Sequence, residues 1–325
     1  MQHDSLNRRR VLLGMSAVGL GAAGLTLGAR SAAQAASELT IFAAGTLAKP
    51  FRSLDGVFSK GHGGMGVQPQ FGGSVKMAKQ VTELHEVADI VAVADYSVIP
   101  KYLMPKYTSW YAGFASNAVT FIYTERSKFA GEINAHNWYE VLARPGVQIG
   151  RSNPDTDPSG YQTLWLLDLA SMYYHQPGLG QKILANAPVS NMRDTETELI
   201  PALQSGQIDY LAIYRSSALQ QGYKFLELPP QINLSDARFS SFYAKASART
   251  KNGTLKGTPI VYAATVPNNA AHAQAGLEYL ALLLGGVGKA VLEKAGFGAV
   301  SPGYAFGGAH LPAALRSLTK PWPLA

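Results

Sequence analysis

Two kinds of segment alternate along this chain, and that alternation restricts its fold more than any other feature. Residues 39–44, Leu-Thr-Ile-Phe-Ala-Ala, form a short run that reads as a buried strand. After the Gly45-Thr46 turn, Leu47, Phe51, Leu54 and Phe58 recur at helical spacing. Residues 67–71 read as a second strand, and Gly72-Gly73-Ser74 opens a helix with Val75, Ala78, Val81 and Leu84 in register. Residues 88–93 are a third strand. The pattern then starts again, with strands over 119–123, 147–150 and 208–214. Between them lie a short helix over 138–142, a long one opened by Asp157-Pro158, and another opened by Thr195-Glu196. A strand over 260–266 and helices over 270–284 and 287–295 follow. Strands and helices in this order specify an α/β architecture.

No long linker separates the two runs, so two lobes share the chain with a cleft between them. Residues 36–117 read as the first part of lobe one and 118–221 as lobe two. Residues 222–325 are then the return crossing and the rest of lobe one. In open α/β sheets, ligands lie beyond the carboxyl ends of the strands. The cleft is where function is expected.

Residues 1–35 do not read as folded protein. Asn7-Arg8-Arg9-Arg10-Val11-Leu12-Leu13 has a twin-arginine core, and an apolar stretch rich in Gly and Ala follows to Leu27. Ala33-Gln34-Ala35 fits a small-x-small cleavage site. A retained membrane anchor is the alternative, against which stand the modest hydrophobicity and length of the stretch. The expectation is export, by the twin-arginine route, with cleavage after Ala35. That cleavage removes Arg8, Arg9, Arg10 and Arg30 with Asp4, lowering the net charge from +7 to +4. No basic run remains, so nucleic acid is not an expected partner.

The absence of cysteine excludes thiolate metal sites, iron–sulfur clusters, disulfides and a lipid anchor on cysteine. Seven histidines stand at no metal-ligand spacing, and no cofactor is expected.

Gly45-Thr46, Gly72-Gly73-Ser74, Asp157-Pro158-Ser159 and Thr195-Glu196 all fall at loop-to-helix transitions. Hydroxyls and free N–H groups at a helix start can hold an oxyanion without a lysine. The same residues are also ordinary N-caps, and Thr195-x-x-Glu198 is a capping box in its own right. Gly45 and Gly73 favour the ligand reading, because they let an anion approach the backbone. Asp157 and Glu196 would repel an anion unless they meet something positive. A high-valent metal centre inside the anion, as in molybdate or tungstate, resolves that conflict.

The residues then resemble a family. Phe42-Ala43-Ala44-Gly45-Thr46-Leu47, Gly73-Ser74 and Ala94-Asp95-Tyr96-Ser97 are similar to segments of the archaeal-type molybdate/tungstate-binding proteins of ABC transporters. So are Ser152-Asn153-Pro154, Asp157-Pro158-Ser159-Gly160-Tyr161, Glu196-Thr197-Glu198-Leu199-Ile200, Ile213-Tyr214-Arg215-Ser216 and Pro259-Ile260-Val261-Tyr262. The resemblance runs in order through nearly all of the chain after the leader. It implies a type II periplasmic-binding-protein fold, with two α/β lobes, a hinge and a ligand cleft between the lobes. It implies an exported, non-enzymatic binder of molybdate or tungstate, monomeric, serving a membrane permease. The oxyanion would be held by Gly45, Thr46, Ser74, Asp157, Pro158, Ser159 and Tyr214, with Asp157 and Glu196 completing six-fold coordination of the metal. Thr46 stands where serine is more usual, and Ser159 where cysteine is common.

Two other classes stay open: a binder of sulfate, phosphate or another tetrahedral oxyanion, and an exported hydrolase. The hydrolase lacks a nucleophile–base–orienter set. Gly61-x-Gly63-x-x-Gly66 matches a dinucleotide fingerprint but precedes a strand, and Ser317-x-x-Lys320 lacks the partner motifs of penicillin-binding enzymes.

Overall fold

The structure, a computed structural model, describes residues 38–322. The leader and cleavage site expected from the sequence lie outside the described residues.

The first βα run contains β1 (Glu38–Ala44), α1 (Ala48–Gly61), β2 (Gly66–Gly72), α2 (Ser74–Thr82), β3 (Ile90–Val93) and β4 (Tyr111–Ser116). The second contains β5 (Val119–Tyr123), α3 (Trp138–Leu142), β6 (Ile149–Ser152), α4 (Pro158–Tyr173) and α5 (Leu179–Ala185). It continues with β7 (Met192–Arg193), a 3-10 turn over Glu196–Leu199, α6 (Ile200–Ser205), β8 (Tyr210–Tyr214), α7 (Arg215–Gln221) and β9 (Lys224–Phe225). A hairpin of β10 (Ser247–Thr250) and β11 (Gly253–Lys256) precedes β12 (Val261–Thr265), β13 (Gly298–Phe306) and β14 (Thr319–Pro321). Helices Ala273–Leu284 and Gly286–Lys294 lie between β12 and β13.

Two sheets result. One has seven strands in the order β14-β13-β4-β12-β3-β1-β2, the other five in the order β7-β6-β8-β5-β9. β1 pairs parallel with both β2 and β3, and β6 parallel with β8, as helical crossovers require. β1, β3 and β8 are buried along almost their whole length, which explains why they read as continuous apolar runs and not as alternating ones. The chain passes from one sheet to the other through Asn117-Ala118, and Val119 N–H donates to Asn233 C=O (3.0 Å) where the returning segment lies alongside. The β10–β11 hairpin packs on α4, where Trp165 Nε1–H donates to the Leu255 carbonyl at 3.2 Å, so this part of the 222–325 segment sits on the second lobe and not on the first.

α1 buries Phe51, Leu54 and Phe58, the stripe its spacing predicts. α2 stops at Thr82, so Leu84 falls outside the stripe and is 66% exposed. α4 is apolar nearly all round and buries eleven of its sixteen residues, including Tyr161, Trp165 and Leu166. Its first turn is therefore held firmly.

Candidate functional site

All the residues singled out from the sequence sit just beyond, or at, the ends of strands. β1 runs into Gly45-Thr46, β2 into Gly73-Ser74, β6 into the turn leading to Asp157, and β7 into Thr195-Glu196, while β8 ends on Tyr214. The two lobes bring them together. A Cβ placed on Gly73 would lie 2.3 Å from the Thr156 carbonyl oxygen and 3.3 Å from Asp157 Cβ. Lys76 N–H donates to that same carbonyl at 3.4 Å. Gly73 is bare because the other lobe lies against it, not because a ligand needs the room. Gly45 differs, since an added Cβ would meet nothing within 4 Å.

The capping reading fails at three of the four helix starts. Thr46 lies inside a 3-10 turn, and its hydroxyl hydrogen-bonds the Tyr262 hydroxyl at 2.9 Å. Ser74 is the first residue of α2, and its Oγ accepts from Ala94 N–H at 2.9 Å. Thr195 donates to the Glu198 carboxylate at 2.9 Å without capping a backbone N–H. Only Asp157 caps, accepting from Ser159 N–H at 3.4 Å. Pro158 offers no donor, and its fixed φ suits the first helical position it occupies.

Asp157 and Glu196 are buried side by side. Burial raises the Asp157 carboxyl well above its usual range, and the adjacent Glu196 charge raises it further. Burial raises Glu196 as well. Among the described residues, neither pairs with a lysine or arginine. Two buried carboxylates with no cation between them titrate as a pair, and a shared proton is the state that burial favours.

Unsatisfied polar atoms concentrate at the same place. Six buried side-chain N or O atoms lack a well-aligned partner among the described residues, and four belong to Ser152, Ser159, Gln162 and Glu196, although Ser152 and Glu196 approach Asp157 and Gln162 approaches Asp95. An unpaired buried polar group costs about 1–3 kcal/mol, so such a concentration is expensive unless the groups serve a ligand.

Three polar side chains near the site were not singled out from the sequence. Gln162 accepts from the Tyr214 hydroxyl at 2.6 Å. Tyr262 receives a second hydrogen bond from Asn117 Nδ2 at 3.2 Å, and Asn117 also donates to Ser216 Oγ at 2.7 Å. Burial pushes the phenols of both Tyr214 and Tyr262 far up, so both remain neutral donors. Gln162 and Tyr262 fall within or beside segments that carry the family resemblance, but nothing in their spacing says where the polar tips point. A cavity of about 500 Å³ opens beside Gly45, Thr46 and Thr197, with Lys49, Arg52 and Gln220 on its walls.

Comparison with known proteins gives concordant results. The model of a family described as bacterial extracellular solute-binding protein matches residues 39–298. An uncharacterized solute-binding protein of Petrotoga mobilis is 39% identical over 271 residues, covering 82% of this chain and 84% of that protein. The molybdate/tungstate-binding protein WtpA of Pyrococcus abyssi is 37% identical over 315 residues, covering 88% and 91%. Among solved structures, the periplasmic molybdate-binding protein of Azotobacter vinelandii superposes with a TM-score of 0.58 at 18% identity, covering 80% of this chain and 98% of that one. At that identity the likeness speaks to fold, and the fold is the type II periplasmic-binding architecture.

Proposed function

The chain belongs to the bacterial extracellular solute-binding protein family, and we propose that within it this protein is exported and captures molybdate or tungstate for an ABC uptake permease. The observation that carries the reading is the buried Asp157–Glu196 pair, which has no cationic partner among the described residues. Sulfate, which carries no proton near neutral pH, gains nothing from two carboxylates facing it. A molybdenum or tungsten centre does gain, because it accepts hard oxygen ligands beyond its own four. Relatives at 37% identity named as molybdate/tungstate-binding support the same choice.

In this reading the lobes divide the work. The first supplies Gly45, Thr46 and Ser74, and the second supplies Asp157, Pro158, Ser159, Glu196 and Tyr214. The oxo groups take hydrogen bonds from hydroxyls and from free N–H groups at the starts of α2 and α4. Tyr262 and Asn117 hold the Thr46 hydroxyl in place. Asp157 and Glu196 shed their proton and bind the metal. Uncharged donors at fixed positions select by geometry.

A tetrahedral reading has one observation in its favour, the raised pKa values of the pair. A carboxyl that keeps its proton is a donor, and one such donor beside Ser159 would suit sulfate. Calorimetric titration with molybdate, tungstate and sulfate separates the two. Tight binding of the first two with sulfate orders of magnitude weaker is expected, and sulfate bound as tightly as tungstate overturns the assignment.

A further inference from the structure

Asp95 follows β3 in the first lobe, and Tyr161 lies in the first turn of α4 in the second. The Tyr161 hydroxyl donates to Asp95 Oδ2 at 2.8 Å, and Ser97 N–H donates to Asp95 Oδ1 at 2.8 Å. Both side chains are 1% exposed. The buried Gln162 side chain, next to Tyr161 on α4, also faces the Asp95 carboxyl. Away from this cluster and the crossing at Asn117, no buried side-chain hydrogen bond joins the lobes among the described residues. Contacts on the rim are of another kind, such as exposed Lys101 donating to the Asn252 carbonyl at 2.9 Å.

The placement of this bond links it to the ligand groups. Ser74 Oγ accepts from Ala94 N–H, and the next residue is Asp95. Asp157 caps α4 immediately before the turn that carries Tyr161, and its charge acts on the Tyr161 phenol. One connected path therefore runs from Ser74 through residues 94–95 to Tyr161 and back one turn to Asp157. We propose that Asp95 and Tyr161 form an interlobe latch, a pair of positioning residues that holds the lobes shut independently of ligand and sets how long the bound oxyanion stays. The bond exists only when the lobes meet. Closure withdraws the Asp95 carboxylate from water, and the Tyr161 hydroxyl offsets that withdrawal. Opening returns the carboxylate to solvent, where the hydroxyl is no longer needed. Loss of the hydroxyl thus acts on the closed state alone and speeds opening.

The kinetic consequence rests on the oxyanion reading above, whereas the latch itself does not. Stopped-flow dissociation of molybdate, followed by tryptophan fluorescence, reads the first. Tyr161→Phe should raise koff roughly tenfold or more, since a hydrogen bond to a charged acceptor is lost, with kon within about twofold of the parent. Asp95→Asn should stay near the parent, because its amide oxygen can accept from Ser97 and its NH2 can donate to the Tyr161 oxygen. The double variant should again release fast. The second readout needs no ligand. Because the chain has no cysteine, spin labels on single cysteines introduced at exposed Leu84 and Thr254 report interlobe distances. Ligand-free Tyr161→Phe should gain a longer-distance population that Asp95→Asn does not show. Parental koff with a parental distance distribution in Tyr161→Phe overturns the latch, as does an effect confined to kon. If the parent protein binds no molybdate, the oxyanion reading falls and the ligand-free distances alone decide the latch.

Discussion

Gly73→Ala is the substitution whose effect the geometry constrains most tightly. The added methyl would sit 2.3 Å from the Thr156 carbonyl oxygen and 3.0 Å from its carbon, against an ordinary contact of about 3.4 Å. Nothing flexible stands there to give way, since both atoms are backbone at the start of the best-buried helix. The clash exists only when the lobes meet, because Gly73 and Thr156 belong to different lobes. Overpacking of this kind costs about 1–3 kcal/mol, which converts to roughly a 5- to 150-fold loss of oxyanion affinity. The ligand-free protein can relieve the clash by opening slightly, so its melting temperature should change little. Gly56→Ala serves as control, because a Cβ there meets nothing and alanine favours the helix. Calorimetry with molybdate and small-angle scattering read both variants. Parental affinity and parental ligand-bound compaction in Gly73→Ala would refute the claim that the bound state closes through this contact.

Further expectations concern the carboxylate pair and the leader. Asp157→Asn and Glu196→Gln should each sharply weaken tungstate binding in calorimetric titrations, whereas a carboxylate that merely faces the anion would, once neutralised, let it bind more tightly. In the ligand-free protein both carboxyls have raised pKa values, so the native state keeps a proton that the unfolded chain loses above about pH 4. Stability should therefore fall as pH rises from there through the pair's own titration, and Asp157→Asn should flatten that slope in pH-dependent thermal melts. Coordination requires the proton to leave, so titrations in buffers of different ionisation enthalpy should show proton release on binding and weaker affinity at acid pH; proton uptake would favour the tetrahedral reading. Arg8→Lys with Arg9→Lys should strand precursor inside the cell, and normal export of that variant would move the leader from the twin-arginine to the general secretory route.

Much of the fold was legible because hydrophobic period reports which face is buried. β1, α1, β5 and β8 follow their apolar runs closely. β4 and β13 were not legible, because Tyr-Ala-Gly-Phe-Ala-Ser and a stretch interrupted by Pro302 carry little alternation. They become strands by pairing with each other, and β4 also with β12, across a long sequence separation. Leu84 was placed on a helical stripe that ends two residues earlier at Thr82. At the candidate site, glycines and hydroxyls at strand ends marked loops that the fold brings together but not the bonds they make. Thr46 reaches Tyr262 and Ser74 reaches Ala94, and neither contact leaves a trace in local spacing. Gln162 and Tyr262 looked like interior positions of a helix and a strand. Periodicity locates such side chains in the core and is silent on where the polar tip lands. Asp95 was unreadable for the same reason, since its partner is sixty-six positions away.

The central claim is that Asp157 and Glu196 bind the metal of the oxyanion, and X-ray absorption at the tungsten edge on the tungstate complex tests it most directly. Six oxygen neighbours are expected around tungsten, with two longer bonds that disappear one at a time in Asp157→Asn and Glu196→Gln. Four equal short bonds in the parent protein, unchanged in either variant, would contradict it.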